Sequence, residues 1–197
     1  MSKSLKGTKT LENLMKAFAG ESQARNRYDY AAGVARKEGY RQIESIFMET
    51  SLNERMHAKR FFQYACDGVD EMPLMVEINA SYPVAYSNTL DNLKFAADGE
   101  REEWEILYPN FAKIAKEEGF PHVEALFKKI ADIEAHHEAR YLKLADNIKN
   151  GLVFKKDTVV QWKCDVCGHV HSAIEAPSVC PACAHPQEHF ELFVESY

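Results

Sequence analysis

The sequence predicts a mainly α-helical protein: a four-helix bundle with one long crossover, followed by a small β-rich metal-binding domain. Three observations carry this reading. Four long segments repeat apolar residues at steps of three and four, the spacing of one helix face. The links within each pair of segments are short, whereas the link between the pairs is long and carries two prolines, which suits a bundle with a single crossover. Beyond Gly151 the chain turns to short runs such as "TVVQWK" and "HFELFVE" and carries two Cys-x-x-Cys pairs.

The first helix is predicted from about Thr10 to Glu38, with a stripe of Leu11, Leu14, Phe18, Glu21, Arg25, Tyr28, Ala32 and Ala35. The second runs from about Arg41 to Ala65 through Ile43, Phe47, Thr50, Glu54, His57, Phe61 and Tyr64. The third spans about Leu90 to Glu118 through Leu93, Ala97, Glu100, Leu107, Phe111 and Ile114. The fourth spans about His122 to Ile148 through Val123, Leu126, Ile130, Glu134, His137, Tyr141 and Leu144. Gly39, Gly119 and Asn150-Gly151 supply the stops. The crossover is "DGVDEMPLMVEINASYPVAYSNT", residues 67–89. The expected division is a bundle over 1–150 and a four-cysteine domain over 151–197.

The two helix pairs repeat one another. "ARKEGYRQIESIF" (35–47) matches "AKEEGFPHVEALF" (115–127), and Glu54 and Glu134 each follow the repeat glycine at the same distance. From Glu21 to Gly39, however, is one residue shorter than from Glu100 to Gly119. One extra residue in an otherwise registered helix is absorbed by a single π-type turn. Pro109 already removes a backbone donor there. A π turn is therefore expected between Glu100 and about Ala112, turning Glu103 toward the bundle interior.

Composition narrows the function classes. With 197 residues, 46% hydrophobic and 27% charged, the chain is long enough for a sizeable core and is not of disordered composition. A net charge of -6 with no basic block argues against nucleic acid and anionic membrane as partners. "MSKSLKGTKT" lacks the apolar core of a signal peptide, so the cytoplasm is the expected location. Cys66 stands apart from the other four cysteines and is expected to be a small buried hydrophobe with no further role.

Each helix interrupts its apolar stripe with a glutamate: Glu21, Glu54, Glu100 and Glu134. Two helices add a histidine three residues on, His57 and His137, which places Glu and His on one face. A single Glu-x-x-His on a helix is weak evidence, because most helical glutamates are solvated. Here two copies fall at equivalent repeat positions on apolar stripes. Four carboxylates facing a core must be protonated, paired or bound to cations. A Glu from each of two helices and a Glu-x-x-His from each of the other two is the pattern of ferritin-like di-iron or di-manganese carboxylate bundles. Oxygen and imidazole ligands favour iron or manganese over a thiolate-seeking metal. Four carboxylates also balance the charge of two divalent ions. Tyr28 and Tyr108 lie on the same stripes and are placed to hydrogen-bond these carboxylates, although plain core packing would also explain them. Trp104 is expected simply to pack.

Cys164, Cys167, Cys180 and Cys183 make two pairs separated by a short loop, the spacing of a tetrahedral four-sulfur site. Taken alone this could be a structural zinc ribbon. Beside a redox-capable pair of metals, iron gains weight, because thiolate-bound iron carries single electrons and zinc does not.

"AFAGESQARNRY" (17–28), "ETSLNERMHAKRF" (49–61), "DGEREEWEILYPNFAKIAKEEG" (98–119), "DIEAHHEARYLKLADNIKNG" (132–151), "WKCDVCGHVH" (162–171) and "APSVCPACAHP" (176–186) together resemble the rubrerythrin family. The resemblance covers nearly the whole chain and implies a ferritin-like di-iron bundle followed by a rubredoxin-like domain. It implies that two non-haem irons are held by Glu21, Glu54, Glu100, Glu103, Glu134 and His137, with His57 a ligand in one oxidation state. It also implies that a separate iron is held by Cys164, Cys167, Cys180 and Cys183, with zinc able to occupy either site in recombinant protein. The implied activity is reduction of hydrogen peroxide to water, with electrons entering through the four-cysteine iron from a donor such as a rubredoxin or a reductase. The implied assembly is a homodimer in which the cysteine domain of one subunit serves the di-iron site of the other. Free-standing rubredoxins usually carry glycine after each cysteine knuckle; here Gly168 follows the first but Ala184 the second, so the second knuckle is expected to be altered.

Three other readings compete. An iron-oxidising storage protein shares the bundle but needs no cysteine domain, and its shell would be visible by native mass. A zinc-stapled, non-enzymatic binding module would be colourless, whereas an oxidised thiolate-iron site is red. An oxygenase acting on an organic substrate requires a pocket beside the metals.

Overall fold

The computed structural model describes residues 3–195. It is mainly helical: α1 (Lys9–Lys37), α2 (Arg41–Asp67), α3 (Thr89–Glu102), α4 (Tyr108–Glu117) and α5 (Pro121–Lys149). A π turn, Glu103–Leu107, joins α3 to α4, so the predicted third helix is one rod with a single wider turn. The Tyr108 N–H reaches back to the Glu103 carbonyl, a five-residue step. Pro109 follows directly and has no N–H to contribute to a regular ladder. Three antiparallel strands complete the chain: β1 (Lys155–Cys164), β2 (Val170–Glu175) and β3 (Phe190–Leu192), in the order β2-β1-β3. No helix among the described residues is long and apolar enough to cross a membrane.

The repeat seen in the sequence recurs in the backbone. Gly39 and Gly119 both take φ 79°, a conformation that glycine adopts without steric penalty. After them, the Tyr40 N–H donates to the Ala35 carbonyl at 2.8 Å and the Phe120 N–H to the Ala115 carbonyl at 2.7 Å, closing the same helix stop twice. The glutamates just before these glycines each cap the opposite hairpin. Glu118 accepts from the Lys9 and Thr10 N–H groups at the start of α1, at 3.1 and 2.8 Å. Glu38 accepts from the Thr89 N–H at the start of α3, at 3.0 Å. Each hairpin thus satisfies the orphan donors of the other's first helix.

Two apolar clusters fill the bundle, one on each side of a polar middle layer. One contains Tyr28, Phe47, Leu93 and Tyr141, and the other Leu14, Phe61, Tyr108 and Phe127. In the second, Phe61 and Phe127 stack with ring centroids 5.0 Å apart. Glu21, Glu54 and Glu134 lie on their helices between the residues that feed these two clusters. The small domain has its own core of Trp162, Cys164, Ala176, Cys180 and Phe190, with the Trp162 indole N–H donating to the Ala173 carbonyl at 3.1 Å. It touches the bundle at the α1–α2 turn, where Tyr40 stacks on Phe154 and Arg41 pairs with Glu188 at 3.2 Å.

Cys66 differs from its expected burial. It is half-buried and lines an apolar cavity with Met15, Phe62 and Val69, because α2 ends there and the crossover covers it incompletely.

The N-terminal segment is pinned where α2 ends. The Leu5 N–H donates to the Gly68 carbonyl at 2.7 Å, and Leu5 is buried. A Cβ at position 68 would lie 2.1 Å from Leu5 Cδ1 and 3.0 Å from the Tyr64 carbonyl. Leu5 is packed in the core and has little room to turn away. Gly68→Ala is expected to destabilise the fold by about 1–3 kcal/mol in a denaturant titration. A variant indistinguishable from wild type would show that the segment does not contribute to the cooperative unit.

Candidate metal centres

Glu21 on α1, Glu54 and His57 on α2, Glu100 on α3, and Glu134 and His137 on α5 meet in the polar layer between the two apolar clusters. The four glutamates are at most 1% exposed. Their ligating atoms form two adjacent groups, each within 4.8 Å: Glu21, Glu54, His57 and Glu134, and Glu54, Glu100, Glu134 and His137. Glu54 and Glu134 belong to both groups, so the two positions are bridged by two shared carboxylates. His57 Nδ1 lies 2.9 Å from both Glu54 and Glu134, and His137 Nδ1 lies 2.7 Å from Glu134 and 3.2 Å from Glu54. Exchanging the repeat equivalents, Glu21 for Glu100, Glu54 for Glu134 and His57 for His137, converts one donor group into the other.

This donor set fits a pair of cations. Glu21 Oε2, Glu54 Oε1, Glu100 Oε2, both oxygens of Glu134, and His137 Nδ1 are buried with no hydrogen-bond partner among the described residues. Each such group left unpaired is costly. Of the remaining carboxylate oxygens, Glu54 Oε2 pairs with His57 Nδ1, and those of Glu100 and Glu21 are supported by the two expected tyrosines, whose support is crossed. Tyr28 on α1 donates to Glu100 on α3 at 2.6 Å, and Tyr108 on α4 donates to Glu21 on α1 at 2.5 Å. Both tyrosines also pack in the core, so the packing and hydrogen-bonding explanations hold together.

Taken by themselves, the carboxyls compete for protons. Burial, then Glu54, pushes Glu100 up to about 8. Burial, then Glu134 and Glu54, raises Glu21 well above the ordinary carboxyl range. Burial pushes Glu54 up too, but His137 and His57 outweigh it and hold it at about 2. Burial favours neutral His137, yet Glu100, Glu134 and Glu54 raise it to about 12. The imidazoles behave as cations among anions, which is the role two metal ions would take over.

Glu103 sits apart from these two groups. The π turn carries it half-buried, and its carboxyl is raised well above the ordinary range by desolvation and by Glu21. A Cβ built at Gly20 would be 3.7 Å from Glu103 Oε1, which places this carboxyl against α1. His57, not Glu103, completes the donor group containing Glu21. Trp104, expected only to pack, does more. Its indole N–H donates to Glu138 at 2.6 Å, and Arg101 Nε donates to the other oxygen of the same carboxylate at 2.6 Å. Glu138 follows His137 directly, so this contact ties the π turn to α5 beside a metal-facing residue. Sequence spacing missed it because Glu138 breaks no periodic pattern; the adjacent His-Glu was its only trace.

The four cysteine sulfurs also lie within 4.8 Å of one another. Cys164 and Cys183 Sγ are 3.7 Å apart, as are Cys167 and Cys180 Sγ. A tetrahedron with metal–sulfur bonds of about 2.3 Å has edges of about 3.8 Å. A disulfide would need about 2.05 Å. The two knuckles match. The Gly168 N–H donates to the Cys164 carbonyl and the Ala184 N–H to the Cys180 carbonyl, both at 2.9 Å. Ala184 takes φ 60° and Gly168 φ 78°. The expected alteration of the second knuckle is therefore absent: alanine accepts the left-handed conformation at a cost of about 1 kcal/mol.

Comparison with known proteins agrees with both centres. The family model described as rubrerythrin matches residues 12–145, and that described as rubrerythrin, rubredoxin-like domain, matches residues 162–191. Among similar proteins, the rubrerythrin of Clostridium perfringens is 59% identical, covering 99% of this chain and 100% of that protein. The rubrerythrin of Porphyromonas gingivalis is 50% identical, covering 100% and 96%. Among solved structures, nigerythrin in its fully reduced, all-ferrous state covers 97% of this chain and 92% of its own at 30% identity, with a TM-score of 0.62.

Metal uptake is expected to release protons. A group whose pKa is raised in the metal-free site holds its proton at neutral pH, and a cation must displace it. Glu100 near 8 and His137 near 12 both meet that condition at pH 7. Affinity for a divalent ion should therefore rise with pH through neutrality. Calorimetry in two buffers of different ionisation enthalpy measures the protons directly, and uptake with none released would contradict the assignment.

Proposed function

Because the chain belongs to the rubrerythrin family, we propose that it is a non-haem di-iron peroxidase that reduces hydrogen peroxide to water, with electrons relayed through a four-cysteine iron. The observation that carries this reading is the pairing, in one chain, of a two-position carboxylate site and a tetrahedral four-thiolate site. A storage protein has no use for the second site, and a zinc-stapled module has no use for the first. Bound iron would supply the two electrons that cleave the O–O bond and the Lewis acidity that polarises it.

The chain's own residues set the conditions for that chemistry. Glu54 and Glu134 would bridge the two ions, with Glu21 and His57 at one position and Glu100 and His137 at the other. Tyr28 and Tyr108 hold Glu100 and Glu21 at fixed angles, which keeps the terminal carboxylates from rotating when the charge of the site changes. Glu103 is the spare anion. Trivalent ions in this poorly solvated site would call for a fifth carboxylate, which Glu103 could provide, and divalent ions would be served as well by the imidazole of His57. His57 lies in the donor group with Glu21, and Glu103 lies outside it, where either could complete that position.

Electron delivery is proposed to cross between subunits of a homodimer. Within one chain the cysteine domain contacts α2 at Arg41, and Glu54 lies 13 residues further on, about 20 Å along the helix. That span favours the cysteine domain of a second copy as the nearer relay, loaded by a rubredoxin-type or reductase donor. Four reduced thiolates suit a cytoplasmic protein that serves in oxidative-stress defence.

Anaerobic stopped-flow tests the reading. The reduced, iron-loaded protein should be oxidised faster by hydrogen peroxide than by dioxygen, and the reverse order would point to an oxidase. Cys164→Ser should abolish the red thiolate-iron colour while leaving two metals in the bundle. Peroxide should still oxidise the chemically reduced variant, but donor-driven turnover should fall by about a hundredfold or more, the loss expected when a required cofactor step is removed. Full donor-driven turnover in that variant would rule out the relay.

A further inference from the structure

A groove of about 640 Å³ lies between α1 and α3, roofed by crossover residues including Tyr82. Hydrogen peroxide occupies about the space of two water molecules, or about 60 Å³. The groove is instead in the range of about 300–1,000 Å³ that holds organic ligands. Its floor reaches Glu103 and Tyr108, the spare carboxylate and the hydroxyl that holds Glu21. Its walls combine Tyr82, Phe95, Leu107 and Phe111 with polar and charged side chains. Gly20 on α1 and Gly99 on α3 also line it. Glycine inside a helix costs about 0.5–1 kcal/mol relative to alanine. Neither glycine has a positive φ, and a Cβ at either would meet its nearest neighbour at an ordinary 3.7 Å. Backbone geometry therefore does not require glycine at these places; what both preserve is room. A longer side chain at position 20 would project between Glu103 and the Tyr82 ring.

We infer that this groove receives the organic group of a hydroperoxide, so that the substrate class extends to compact aryl and alkyl hydroperoxides. The inference rests on the peroxidase reading above. The apolar group lies against Tyr82, Phe95 and Phe111, and the hydroperoxy end points past Gly20 to the Glu103 side of the metal pair. The balance is ROOH plus two electrons and two protons giving ROH and water. The O–O bond breaks, bound iron would supply the two electrons, and the two protons come from solvent. The alcohol leaves by the groove. The wall carries Lys16 and Arg27 but also Asp98 and Glu102, so a neutral organic group suits it better than a charged one.

Binding is tested apart from turnover by using zinc-loaded protein, which cannot transfer electrons. Cumyl alcohol, the product of cumene hydroperoxide and close to it in shape, is titrated by NMR. Saturable binding is expected, with ring-proton contacts to Tyr82 and Phe111. Gly20→Leu should weaken it by about tenfold or more, the scale of a filled apolar subsite. Tyr82→Ala, on the exposed crossover, should weaken it as well and serves if the first variant does not fold. In iron-loaded protein, either variant should lower kcat/KM for cumene hydroperoxide relative to that for hydrogen peroxide by about tenfold. Absence of saturable binding, or contacts to residues elsewhere, overturns the inference whatever the protein does with hydrogen peroxide. Turnover of hydrogen peroxide without turnover of cumene hydroperoxide overturns it and leaves the peroxidase reading intact. Failure to reduce either overturns both.

Discussion

Four glutamates that face one another across a buried layer set the terms for the rest of the bundle. Carboxylates at this depth repel one another strongly and are shielded from bulk solvent. Such a layer is relieved by protons, by the neighbouring imidazoles or by bound cations, and the oxygens not so occupied must be held. The two apolar clusters above and below do not touch this problem; they fix the helices so that it can be solved locally. Tyr28 and Tyr108 solve half of it by donating across the bundle, and the buried imidazoles of His57 and His137 mark where positive charge belongs. Exchanging Glu38 and Glu118 as helix caps applies the same logic at the periphery, with each hairpin completing the other.

Against this symmetry the π turn is the one large departure. It brings a fifth carboxylate, Glu103, to one side of the site and leaves the other side without a counterpart, since the matching residue on α1 is Ala24. Wider turns are weakly held, and this one is braced from outside by Glu138, which accepts from Trp104 and Arg101. Glu103 also lines the groove under Tyr82, together with Gly20 on α1 and Gly99 on α3, so the added carboxylate and the groove meet.

Much of this was legible in the sequence, for reasons that can be named. Helical period gave the four rods because their apolar stripes are long. The counting mismatch between Glu21–Gly39 and Glu100–Gly119 located the π turn because everything around it stays in register. Glu54, His57, Glu134 and His137 were visible because a charged pair on an apolar stripe is anomalous twice over. What could not be read involves partners far apart in sequence with no periodic signature: Glu138 with Trp104, Leu5 with Gly68, and Tyr82 over Gly20. Ala184 shows a different limit. The steric cost of its backbone was correctly foreseen, but a cost of that size is outweighed by the two hydrogen bonds and the tetrahedral sulfur geometry that the knuckle secures.

The crossed tyrosines carry an implication about ancestry. A hairpin bearing one Glu, one Glu-x-x-His and one Tyr holds half of every interaction in the site, and its Tyr serves only the opposite hairpin. Two copies of such a hairpin, associating face to face, would assemble the whole constellation without any further residue. While the halves were separate products of a single gene, any inserted residue would have appeared in both, and a lone fifth carboxylate could not have arisen. In the present chain the two halves are no longer equivalent: the wider turn and the fifth carboxylate belong to one of them alone, so a site built from matched halves has two distinguishable ends.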